Sequence, residues 1–200
     1  MSDEFKSVWV LHHILIMKKI ALSLLFILFT VCLVSCANAQ SKNLKLIFIR
    51  HAEKPADGDN LSCAGLNRAL KLPEVLKAKF GLPDRVYVPA LNQGKSTSRG
   101  RMFQTISPFA IKYNLAINSA FEEEDAKGIA SELSSKKGTI LIVWEHSQLK
   151  PVLKALGLKV GNLQWPDDDF DTIWIVGFKK GKPYLTVDKE GIKPAEGCSF

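Results

Sequence analysis

Histidine and cysteine are scarce in this 200-residue chain, four of each. Half of each set lies in the first forty residues, as His12, His13, Cys32 and Cys36. Only His51, His146, Cys63 and Cys198 remain beyond them. The spacings His-x-x-x-His and Cys-x-x-Cys are missing, which excludes the common zinc-holding frameworks. Glu53 and Glu145 could join a histidine at a metal, but nothing in the spacing calls for one. There is no internal repeat and no low-complexity tract. The basic residues form no patch interleaved with aromatics, so the usual nucleic-acid footprint is absent. The longest apolar run, Ile20 to Val34, falls short of the roughly 20 residues that span a bilayer.

That apolar run follows Met17-Lys18-Lys19 and precedes the small residues Ser35 to Ala39. A positive start, an apolar stretch and a small-residue end form the layout of a secretory leader. The reading is therefore a leader over residues 1–39, with Met17 as the true start, and an exported domain over residues 40–200. A retained anchor including Val8 to Ile16 is disfavoured, because His12, His13, Lys18 and Lys19 interrupt it. Two cleavage sites compete. Ala37-Asn38-Ala39 before Gln40 suits an ordinary signal peptidase. Leu33-Val34-Ser35-Cys36 resembles a bacterial lipobox, which would make Cys36 a lipid anchor. Either implies the bacterial envelope, in the periplasm or as a lipoprotein. Outside the cytoplasm, Cys63 and Cys198 either pair or stay as two buried thiols.

Composition suits one globular domain, with 46% apolar and 24% charged residues. The leader takes with it Lys6, Lys18 and Lys19 and two acidic residues, Asp3 and Glu4. The rest holds 24 basic residues against 18 acidic ones, net +6. That balance leans weakly toward anionic ligands.

Hydrophobic patterning gives an alternation of strands and helices. Leu44–Ile49 reads as a buried parallel strand. Ala56 to Asn60 is turn-rich. Ser62 caps a helix over Cys63–Leu72, which Pro73 ends or kinks before Val75–Phe80 resumes. Arg85–Val88 is a strand, Asn92–Gly100 a loop and Arg101–Tyr113 a helix. Glu122–Lys137 reads as a helix whose acidic start suits the helix dipole. Thr139–Trp144 is a strand, Gln148–Leu156 a short helix, and Thr172–Phe178 and Tyr184–Val187 are strands, one of them antiparallel. This order predicts an α/β domain with a mostly parallel sheet. Ligands in such sheets bind beyond the carboxyl ends of the strands. Two strands deliver histidines there: Leu44–Ile49 leads into Arg50-His51, and Thr139–Trp144 into Glu145-His146.

At this point the residues resemble a known family. "IRHAEKP" (Ile49–Pro55) is similar to the Arg-His-Gly/Ala signature of the histidine phosphatase superfamily, which includes the phosphoglycerate mutases. "NLSCAGLNRA" (Asn60–Ala69), "RMFQTISPFA" (Arg101–Ala110), "LIVWEHSQL" (Leu141–Leu149) and "LGL" (Leu156–Leu158) resemble further family stretches in the same order. The resemblance covers roughly residues 44–178. It implies a three-layer α/β/α sandwich of the phosphoglycerate mutase type. It implies that His51 attacks phosphorus, that Arg50, Arg101 and His146 hold the phosphoryl group, and that no metal or cofactor takes part. A guanidinium suits that task because its planar fork matches two oxygens and stays charged.

The resemblance also implies a proton donor between Arg101 and His146, where Glu122, Glu123, Glu124 and Asp125 lie. Glu122 is named first and Glu53 is the rival, with Glu53 also a candidate for substrate binding. Arg101 is preferred over Arg99 on its spacing to Gln104-Thr105. The family's acid phosphatase branch carries Asp where this chain has Ser147, which argues against that branch. Trp165 to Asp171, with four carboxylates, reads as an exposed acidic turn or as the pocket rim. The implied substrate is a small phosphorylated molecule, hydrolysed through phosphohistidine. The alternatives are a non-catalytic phosphate-binding envelope protein and a phosphohistidine protein phosphatase.

Overall fold

In β1 (Leu44–Arg50), consecutive side chains go to opposite faces of the sheet and both faces are covered. Leu44, Leu46 and Phe48 enter one buried cluster, and Ile47 and Ile49 enter the other. A strand buried on both sides must be apolar at nearly every position, which is why the sequence here shows an unbroken run. The computed structural model describes residues 17–20, 22–23, 43–94 and 97–198. The chain falls into two units, Met1–Ala39 and Gln40–Phe200. Residues 17–20 and 22–23 of the first unit are helical. The cleavage sites and Cys36 lie outside the described residues. Among the described residues no helix is long and apolar enough to cross a membrane.

The second unit continues through α1 (Cys63–Phe80), β2 (Arg85–Pro89), the two-residue strands β3 (Asn92–Gln93) and β4 (Thr97–Ser98), α2 (Gly100–Tyr113) and β5 (Ile117–Phe121). It is completed by α3 (Ala126–Ser134), β6 (Gly138–Trp144), α4 (His146–Ala155), β7 (Thr172–Lys179) and β8 (Lys182–Lys189). Six strands form one sheet in the order β5-β2-β6-β1-β7-β8. β5, β2, β6 and β1 are parallel, and β7 runs antiparallel to both neighbours. Leu72, Leu76, Met102, Ile106 and Phe109 of α1 and α2 cover one face. Ile129, Leu133, Leu149, Val152 and Leu153 of α3 and α4 cover the other. The expected three-layer α/β/α sandwich is the architecture of the molecule.

Three local expectations are corrected and one strand is added. Pro73 does not end α1: the helix runs through it, with Leu72, Pro73 and Leu76 all buried. Packing there outweighs the lost backbone hydrogen bond. The stretch Glu122–Asp125 is not a first helical turn, since α3 starts at Ala126 with Asp125 as its cap, accepting from the Gly128 N–H at 2.8 Å. β5 was unforeseen because it is an edge strand with mostly exposed side chains, so it lacks the apolar signal. α4 starts at His146, two residues before the expected Gln148.

Candidate active site

The last register pair between β1 and β6 is Arg50 with Trp144. One step further along each strand stand His51 and Glu145, side by side beyond the carboxyl edge of the sheet. Strand pairing therefore brings together two residues 94 positions apart. His146 follows as the first residue of α4, with Glu145 as the helix N-cap. The Glu145 side chain makes no capping hydrogen bond. It turns toward the histidines instead.

His51 is 1% exposed. Its Nδ1–H donates to the carbonyl of Ala52 at 2.6 Å, because a carbonyl oxygen can only accept. This fixes the ring and aims Nε2 at the Glu145 carboxylate, 3.2 Å away. The other Glu145 oxygen pairs with His146 Nδ1. His146 Nε2 in turn meets Asp167 Oδ1 at 2.8 Å. Burial alone would raise the Glu145 carboxyl. The His51 hydrogen bond and the charges of His51, His146 and Arg50 outweigh it and hold the group down at about 2.

Arg50 is buried and reaches the loop before β7. Its Nη1 donates to the Asp167 carbonyl at 2.6 Å, and more weakly to the carbonyls of Pro166 and Asp169. The Phe170 ring lies 4.1 Å from its Cζ and 5.9 Å, centroid to centroid, from the His51 ring. Burial lowers the Arg50 pKa against the opposing pull of Glu145 and Asp167, yet a guanidinium stays charged. Trp165 anchors this loop by burial and by donating its indole N–H to the Asp169 carbonyl at 2.7 Å. The stretch Trp165 to Asp171 is thus an exposed acidic turn, anchored by Trp165, that also borders Arg50 and His146.

The remaining candidates sit less centrally. Arg101 opens α2 and donates to the carbonyls of Gly58 and Asn60 in the loop after β1. One turn later the Thr105 hydroxyl accepts from the Ala52 N–H at 2.9 Å, so α2 braces the backbone beside His51. Glu53 is a correction: its carboxylate is engaged by Arg68 in a two-oxygen pairing at 2.8–3.0 Å and turns to α1 rather than to the histidines. Glu122 is another correction. Its side chain is 66% exposed and pairs with Arg99, which also holds Glu124. Glu123 faces inward, with a side chain 14% exposed. Burial, then the Glu145 charge, raises its pKa, and its carbonyl accepts from the Trp144 indole at 3.0 Å.

The structure therefore brings Arg50, His51, Glu145 and His146 together, with Glu123, Asp167 and Phe170 around them. Sequence reasoning left Glu145 without a role in phosphate chemistry, although the strand register behind it was foreseeable from two parallel strands ending alike. Among the described residues, no group of three or more His, Cys, Asp or Glu side chains is arranged to hold a metal ion.

No protein-family model matches the chain and no curated protein matches it significantly, but solved structures do. A protein designated phosphohistidine phosphatase SixA, from Agrobacterium tumefaciens, superposes with a TM-score of 0.52 at 15% identity, over 76% of this chain and 99% of its own. The protein histidine phosphatase SixA in complex with tungstate gives 0.51 at 14% identity, over 73% of this chain and 97% of its own. The chain has the histidine phosphatase fold. At such identities the likeness is one of fold. In this histidine phosphatase fold the paired strands β1 and β6 set the two histidines at one rim, and the turn after β5 and the loop before β7 supply carboxylates from either side.

Proposed function

We propose that this protein is a phosphatase that hydrolyses a phosphomonoester through a phosphohistidine on His51, without a metal, in the bacterial envelope. The observation that carries the reading is the His51 ring: Nδ1–H is fixed on the Ala52 carbonyl, and Nε2 points into a cluster holding Arg50 and His146. A neutral imidazole held this way presents one nitrogen as a nucleophile and splits a hard displacement into two easier ones. Arg50 and His146 lie where they can meet charge spreading over the phosphoryl oxygens. The first turn of α4 points its N–H groups to the same side.

The leaving alkoxide needs a proton, and Glu123 is the group we assign to it. It is half-buried, faces Glu145 and is shifted toward the protonated form by that burial and that charge, as suits a general acid. Export is supported by the Cys63–Cys198 disulfide, since disulfides persist in oxidising compartments.

The test is turnover of p-nitrophenyl phosphate by the purified protein in EDTA. His51→Ala abolishes it and His146→Ala leaves an acid-labile, base-stable phosphoprotein. Glu123→Gln lowers kcat on alkyl phosphates by roughly 10²–10⁴-fold, with a much smaller effect on aryl phosphates whose leaving groups need no acid. Activity that persists in His51→Ala overturns the proposal. Binding of phosphate without any turnover supports the non-catalytic alternative.

A further inference from the structure

The Glu145 carboxylate stands where a phosphoryl group must stand. Its two oxygens bridge the imidazoles of His51 and His146, as two phosphoryl oxygens would. The carboxylate also stands in front of His51 Nε2, the nitrogen that the Ala52 hydrogen bond leaves free. The site is thus blocked sterically and by a like charge.

We propose that Glu145 is an internal competitor for the phosphoryl site, which sets the site's affinity for oxyanions and yields it when an entering oxyanion displaces the carboxylate from between the two imidazoles. This rests on the phosphatase reading above. Two anions cannot share the pocket, because like charges repel and the same donors can serve only one of them at a time. The charged groups around Glu145 are Arg50 and His51 at the end of β1, His146 on α4 and Glu123 after β5, with Asp167 on the far nitrogen of His146.

The consequence is selectivity. Bare inorganic phosphate must displace Glu145 with nothing else to bind, so it is held weakly. A phosphomonoester brings binding energy from its organic part and displaces Glu145 at lower concentration. Product phosphate is then expelled as the carboxylate returns.

The experiment is calorimetric titration of the full chain, and of its Glu145→Gln and Glu145→Ala variants, with inorganic phosphate and with tungstate. Both variants are expected to bind both oxyanions at least about tenfold tighter than the wild type, a gain of roughly 1.4 kcal/mol. Glutamine keeps the shape of glutamate and serves if alanine impairs folding. Unchanged or weaker affinity in a folded Glu145→Gln overturns the inference. If the wild type still hydrolyses aryl phosphate through His51, the phosphatase reading survives that failure. If neither the wild type nor the variants bind an oxyanion or hydrolyse the ester, both fall together.

Discussion

Arg68 is the most heavily engaged side chain outside the site. It binds Glu53 with two nitrogens, Glu190 at 2.6 Å and the Ile192 carbonyl at 3.2 Å, and lies 3.5 Å from Asp171. Three carboxylates thus crowd one buried guanidinium, and burial pushes the Glu190 carboxyl up. Removing one partner of such a cluster strands the others. Arg68→Ala is expected to lose about 3–5 kcal/mol in urea unfolding, and a loss under 1 kcal/mol would contradict the cluster's role. The same residue explains why Glu53 was misread. A glutamate two residues from a nucleophile looks catalytic in sequence, but its partner lies on the next helix, and a pairing across fifteen residues leaves no local trace.

Among the elements, α1 shows how closely the frame is fitted behind His51. Ser62 caps the helix by accepting from the Gly65 N–H at 3.1 Å, and its own N–H donates to the Glu53 carbonyl at 2.9 Å. A Cβ on Gly65 would be driven into that same Glu53 carbonyl. Ser62→Ala should cost about 1 kcal/mol as a lost cap. Gly65→Ala should cost more and also lower turnover, because the backbone displaced is the strand exit that carries His51. Equal stability loss with unchanged kcat in the two variants would argue that the exit loop moves independently of the site.

The central elements were legible in sequence for a physical reason: β1 and β6 are buried on both faces and must be apolar throughout. Their histidines were legible because each stands just past the end of such an apolar strand. β5 was hidden because only one edge of it is paired, and the 165–171 loop because its function depends on a distant arginine. Glu145 was hidden for a different reason. Its role depends on which way a carboxylate turns, and residue order does not carry that.

Across the whole molecule, two kinds of long-range tie set stability. Glu145 and Asp169 are both held at about 2, below their ordinary 4.5 and 3.8. For Asp169, burial opposes ionisation, and the Thr172 hydroxyl, two backbone N–H groups and Lys189 overcome it. Depressed carboxyls give stability that is complete above their unfolded values and is lost as pH falls through the folded ones. The thermal midpoint should therefore drop steeply between about pH 4.5 and 2, and a flat profile there would count against both assignments. The covalent tie joins Cys63 and Cys198 across 135 positions. Closing so long a loop restricts the unfolded chain, by about 4–5 kcal/mol on the entropy model. Reduction or a Cys63→Ser, Cys198→Ser double variant should lower the melting temperature accordingly.

The tail that carries Cys198 is also stitched to α1 by Asn67, which donates to the carbonyls of Ala195 and Gly197, and by Arg68 through Glu190 and Ile192. The helix that packs behind His51 is thus clasped from the far end of the described chain, by a disulfide, an amide and a guanidinium together. Trimming that tail would loosen a helix more than a hundred positions earlier in the sequence.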